Sequence, residues 1–124
     1  MNTKLVKVDG FYDVPERENN EIQSLVVIAQ RWFDKAWGNT YHSCAVVLNG
    51  KEIGFIPFEY GYDEQYKNTA LTILQNNGYF NSGEQCDNGY PKDSENFHNF
   101  CIGNRDRVLF YCTDVDRKRD LRKK

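Results

Sequence analysis

The dipeptide Asn49-Gly50 constrains this chain more than any other pair of residues. A type I′ hairpin needs positive φ at both central positions, and Asn followed by Gly meets that need at the least steric cost. Apolar-rich runs flank it, Thr40 to Leu48 and Lys51 to Phe58, so the pattern predicts two antiparallel strands joined here. In the first strand His42, Cys44, Val46 and Leu48 share one face, and Tyr41, Ser43, Ala45 and Val47 share the other. Both faces are apolar near the hairpin and polar at the start. That places the strand inside the sheet, with its polar end at the Trp37-Gly38-Asn39 turn.

Such a sheet needs further strands and a cover. Ser24 to Lys35 contains Leu25-Val26-Val27-Ile28-Ala29, then Gln30, Arg31, Trp32 and Phe33. Branched and aromatic residues predict a central strand, with a helix as the alternative for so dense an apolar run. Leu5 to Val8 predicts a short edge strand, and residues 10 to 21 a loop around Pro15 and Asn19-Asn20. From Glu64 to Asn77 the spacing turns helical, with Tyr66, Ala70, Ile73 and Leu74 on one stripe. Asp63 is the expected N-cap and Gly78 the expected left-handed residue past the end. Tyr79 to Asn104, rich in Asn, Gly, Ser and Asp, reads as one long loop. Arg105 to Val115, around Val108-Leu109-Phe110-Tyr111-Cys112, reads as the last strand. The expected fold is α+β: a single antiparallel sheet, made of a β-meander with an Asn-Gly hairpin plus a C-terminal strand, packed against one principal helix. With 124 residues the chain is expected to form a single domain over 1–124.

Charge is uneven along the chain. Residues 116 to 124 carry six basic side chains, Arg117 and Lys118 among them, against Asp116 and Asp120, a balance of +4. The whole-chain value of -2 therefore leaves residues 1 to 115 at -6. An acidic body argues against phosphate binding by that body, because nonspecific nucleic-acid affinity follows the number of phosphates neutralised. The basic tail reads as a solvated terminus, with a few phosphate contacts as the alternative. No window approaches the roughly 18 to 20 apolar residues that span a bilayer, and Met1-Asn2-Thr3-Lys4 leads into no signal-peptide core. A soluble cytoplasmic protein with no membrane partner is the expectation.

Aromatic residues supply 15% of the chain, and many stand beside turns and polar residues, where a core is not their only use. The first such cluster is Arg31, Trp37, Asn39, Tyr41 and His42, residue types that combine rigid area with a polar tip and recur in binding hot spots. The second surrounds Tyr60 and Tyr62 at a strand-to-helix corner, where rings could stack on bases or a peptide. Arg117 and Lys118 of the tail complete the candidate binding residues. Each group has a plainer use as core, cap or solvated surface.

Catalytic and metal chemistry find less support. The chain lacks Gly-x-Ser-x-Gly, His-Glu-x2-His and a phosphate loop. Cys44 beside His42 sits among apolar neighbours that raise a thiol pKa, and side chains two apart in a strand do not converge. Asp114 and Asp116 near Lys118 could begin a nuclease-like set, but such spacing is common on solvated strand ends. His42 with Cys44 and His98 with Cys101 supply a two-Cys, two-His zinc set, yet no Cys-x2-Cys is present. No enzyme, metal or cofactor is expected.

The stretches Arg31-Trp32-Phe33, Gly38-Asn39-Thr40-Tyr41-His42-Ser43, Asn49-Gly50, Pro57-Phe58-Glu59-Tyr60-Gly61-Tyr62, Gln65-Tyr66 and Asp116-Arg117-Lys118-Arg119-Asp120-Leu121 together resemble a family of uncharacterised small bacteriophage and prophage accessory proteins. The resemblance runs from about residue 31 to the C-terminus, leaving 79 to 104 unmatched. It implies stoichiometric binding in a bacterial cytoplasm to a protein partner, a host or phage factor that handles nucleic acid, including inhibition of host defence. The alternative is a direct nucleic-acid-binding module that uses the exposed rings and the basic tail.

Overall fold

Asn49 and Gly50 adopt φ of 51° and 85°, the left-handed pair that a type I′ turn demands. The Asn49 side chain does more than turn the chain. Its Oδ1 accepts from the backbone of Gln23 (2.7 Å) and Ser24 (3.0 Å), and its Nδ2 donates to the Glu21 carbonyl, so the hairpin holds the segment that enters the next strand. This is a computed structural model that describes residues 5–8, 12–15, 21–81, 86, 87, 89 and 92–123.

Leu5–Val8 (β1) and Tyr12–Pro15 (β2) pair antiparallel as a separate two-stranded sheet. The expected edge strand therefore joins no main sheet, and part of the expected 10 to 21 loop is its partner. Leu25–Asp34 (β3), Asn39–Leu48 (β4), Lys51–Tyr60 (β5) and Val108–Val115 (β6) form the main sheet in the order β5-β4-β3-β6. β4 runs antiparallel to both neighbours, as the hairpin requires. β6 runs parallel to β3, so the sheet is mixed rather than antiparallel. The reason lies in the connection. After β5 the chain crosses to the opposite sheet edge through two helices, Gln65–Asn76 (α1) and Asp93–Gly103 (α2), and a helical crossover is what allows a parallel return.

α2 falls in the segment expected to be loop. Its sequence is rich in polar residues, but Phe97, Phe100 and Cys101 recur at helical spacing, and buried Phe97 meets Phe80 (5.3 Å between centroids) and Phe110 (6.5 Å). α1 matches its expected range to within one residue at each end. Gly78, at φ 95°, ends it: the Tyr79 and Gly78 amides bond back to the Leu74 and Gln75 carbonyls, closing the orphan carbonyls of the last turn. Asp63 is not the cap. It holds φ 58°, and Glu64 occupies the N-cap position without a side-chain bond.

The core lies between the sheet and α1. Leu25, Val27 and Ala29 of β3 stand beside Leu48, Val46 and Cys44 of β4, all buried, and face Ala70, Ile73 and Leu74 of the helix. The opposite sheet face carries Ile28, Trp32, Tyr41, Ala45, Phe55, Leu109 and Tyr111. Neither α1 nor α2 covers it, and no helix of the described residues is long and apolar enough to cross a membrane.

Candidate functional site

Pleat geometry divides the first sequence cluster between the two faces of the sheet. Arg31 pairs with His42 across β3 and β4 on the helix side, and Trp32 pairs with Tyr41 on the open side. His42 is a packing residue, only 1% exposed. Its Nδ1–H donates to the Gly61 carbonyl (3.2 Å), which fixes the tautomer, and Nε2 accepts from the Thr69 hydroxyl (2.6 Å). Burial holds its pKa below the usual 6.5, partly offset by the Gly61 carbonyl and by Glu59. The imidazole is a strut between β4, the Gly61 corner and α1, which removes His42 from the expected binding surface. Arg31 is spent in a similar way. Its guanidinium holds Asp114 through Nε (2.8 Å) and Nη2 (3.4 Å), and Nη1 donates to the Asp63 carbonyl (2.8 Å).

On the open side the rings form a ladder. Tyr41 lies between Trp32 (centroids 6.0 Å apart) and Phe58 (4.5 Å), near-parallel to both, and Tyr60 meets it edge-on at 5.7 Å. A β-bulge makes this contact set. His42 pairs with Glu59 but Cys44 with Ile56, so Pro57 and Phe58 together oppose Ser43. Pro57 has no N–H to give a ladder, and an edge-strand bulge is where it costs least. The extra residue lets Phe58 and Tyr60 both lean on Tyr41.

Beyond the ladder, exposure rises sharply. Trp37 in the β3–β4 turn is 81% exposed, Tyr62 66% and Tyr60 61%, the three most exposed large hydrophobic side chains of the described residues. All stand at one end of the sheet, where β3 ends, β4 begins and β5 runs out, with half-buried Asn39 opposite Asp34 between them.

The basic tail is not a free solvated terminus. After β6 the chain turns and runs as a strap over the open face, with a single 3-10 turn at Lys118–Asp120. Leu121 of the strap is buried, and Ser43 and Ala45 beneath this face are buried too. Arg122 donates its amide to Gln30 Oε1 (2.6 Å), grips Glu52 with both terminal nitrogens and lies over the Phe55 ring at 4.1 Å. Lys118 Nζ stands 4.9 Å from the Phe58 centroid, and Arg117 pairs with Asp120. Burying one leucine contributes about 1.5–3 kcal/mol, more than exposed ion pairs supply, so Leu121 is the strap's anchor. The +4 balance reads as a solvated terminus, and the signal that marks a strap is Leu121, the one apolar residue of the run.

The remaining chemistry-bearing groups are separated or quenched. Cys44 donates to the Tyr66 carbonyl, and burial pushes its thiol up to about 12. Burial likewise raises Cys101 to about 11. Asp114 faces Arg31 on the helix side and Lys118 faces Phe58 on the other, so the two do not form one set. Among the described residues no group of three or more His, Cys, Asp or Glu is placed to hold a metal. No protein-family model, curated protein or solved structure matches this chain.

Proposed function

We propose that this chain is a non-enzymatic binding protein that docks on a protein partner through the aromatic end of its sheet. The observation that carries this reading is the convergence of Trp37, Tyr60 and Tyr62, the most exposed rings, at one end of one sheet. Leaving that much aromatic area in water is unfavourable, and exposed rings gathered at one end of a sheet suit desolvated anchors in a partner's pocket. The polar groups nearby support binding rather than turnover, because the Arg31 guanidinium and both nitrogens of His42 are already engaged in packing.

Protein docking is favoured over nucleic-acid binding by the acidic balance of residues 1 to 115, which repels phosphate, and the ladder removes Tyr41 as a stacking platform. Base stacking needs a free ring face, and Tyr41 is flanked on both sides by Phe58 and Trp32. The resemblance to phage accessory proteins completes the reading: the partner is a host or phage factor handling nucleic acid in a bacterial cytoplasm, bound stoichiometrically, with inhibition of host defence as the outcome.

The test is affinity capture from the natural host followed by titration with single- and double-stranded oligonucleotides at two salt concentrations. Stoichiometric capture that Trp37→Ala abolishes supports docking. Oligonucleotide binding that survives Trp37→Ala, with no protein captured, refutes it.

A further inference from the structure

We infer that the groove between the strap and β5 receives an extended acidic peptide segment carrying an apolar side chain. This rests on the docking reading above and gives the partner a chemistry. The groove measures about 500 Å³. Its lining joins apolar Pro57, Phe58 and Leu121 to the cationic side chains of the strap, Lys118, Arg119, Arg122 and Lys123.

Charge selects the occupant. Arg122 is neutralised by Glu52, whereas Arg119 and Lys123 meet no carboxylate among the described residues. Two unpaired cations held on a fixed strap in a lining shared with apolar side chains complement a ligand that alternates carboxylates with an apolar group. Ring geometry then separates a peptide from a nucleotide. Tyr41 covers one face of Phe58 and the Lys118 ammonium lies over the ring, so Phe58 offers an edge and not a stacking face. Phe58 and Tyr60 both touch Tyr41, which joins the groove to Tyr60 at the exposed aromatic end. A partner anchored at Tyr60 can lay an acidic segment along the strap.

Fluorescence anisotropy with three labelled probes tests this: a peptide alternating Glu with Leu, the same peptide with Gln in place of Glu, and oligothymidylate. The Glu/Leu peptide is expected to bind, to weaken several-fold between low and physiological salt, and to lose about tenfold or more in the double variant Arg119→Glu/Lys123→Glu. Both side chains are exposed and unpaired, so an unchanged melting temperature confirms that the variant still folds. Equal affinity for the Gln/Leu peptide, tighter binding of oligothymidylate with the same sensitivity to the double variant, or no binding of any probe at low salt overturns the inference. Partner capture keeps the two readings apart. If Trp37→Ala abolishes capture and Arg119→Glu/Lys123→Glu leaves it intact, docking stands and the acidic-segment assignment falls.

Discussion

Arg122 and Glu52, 70 residues apart in sequence, form a bidentate pair with N–O distances of 2.5 and 2.9 Å while the same guanidinium lies on Phe55. The pair fastens the strap to the edge strand β5. Being exposed, it adds little stability by itself, and its effect is to fix where the strap ends. Arg122→Ala is therefore expected to leave global unfolding nearly unchanged while trypsin cuts the strap several-fold faster. Leu121→Ala, which removes the buried anchor, is expected to lower stability by about 2 kcal/mol and to release the strap altogether. Mass-resolved limited proteolysis beside urea denaturation distinguishes the two. A strap equally resistant in both variants would show that neither residue holds it.

His42 makes stability depend on pH in a defined direction. Burial lowers its pKa in the folded state, so between the folded value and the ordinary 6.5 the unfolded chain binds a proton that the folded one refuses. The contribution is fully present above 6.5 and is lost as pH falls through that value towards the folded pKa. His42→Asn, whose amide can still donate to the Gly61 carbonyl, is expected to flatten the profile in this window while losing about 1–2 kcal/mol at neutral pH. Urea midpoints from pH 8 to 5 for both proteins, taken as a difference, check it. A difference that stays constant below 6.5 would mean that His42 is not the titrating group.

The residues also show which parts of the fold are readable from sequence. Asn49-Gly50 and the Tyr66, Ala70, Ile73, Leu74 stripe encode local geometry, and the hairpin and α1 follow from them directly. α2 is harder to see, because Asn, Ser and Asp are weak helix formers and its stability comes from Phe97 packing against distant rings. The direction of β6 depends on the path of the crossover and on nothing inside β6. At the site, the turn-side positions of Trp37, Tyr60 and Tyr62 left core and surface both open, and all three are exposed. Alternation along β4 separates Tyr41 from His42, but which face the helix would take is a tertiary choice.

Gly54 shows how closely β5 and α1 approach. A Cβ built there would stand 2.4 Å from Ile73 Cγ2, well inside contact distance, and the branched methyl of a buried helix residue cannot swing away. Gly54→Ala is expected to destabilise by about 1–3 kcal/mol. In an Ile73→Ala background the same change is expected to cost close to nothing, because the offending methyl is gone. Urea denaturation of the four proteins in this cycle measures the coupling, and additive costs would disprove the close approach.

Trp37 and Tyr41 respond differently to the same truncation, and that contrast bears most directly on function. Trp37 is 81% exposed and lies in a turn, so Trp37→Ala is expected to change stability by less than about 0.5 kcal/mol. Tyr41 is half-buried between Trp32 and Phe58, and Tyr41→Ala opens the ladder at an expected cost of about 2 kcal/mol. Loss of docking in Tyr41→Ala therefore mixes lost contact with lost support, whereas loss in Trp37→Ala reports contact alone. Fluorescence gives an independent reading. With Trp32→Phe, emission comes from Trp37 only and is expected to be red-shifted and readily quenched by acrylamide, becoming blue-shifted and protected when the partner binds. Emission that stays exposed in the complex would place the docking surface elsewhere.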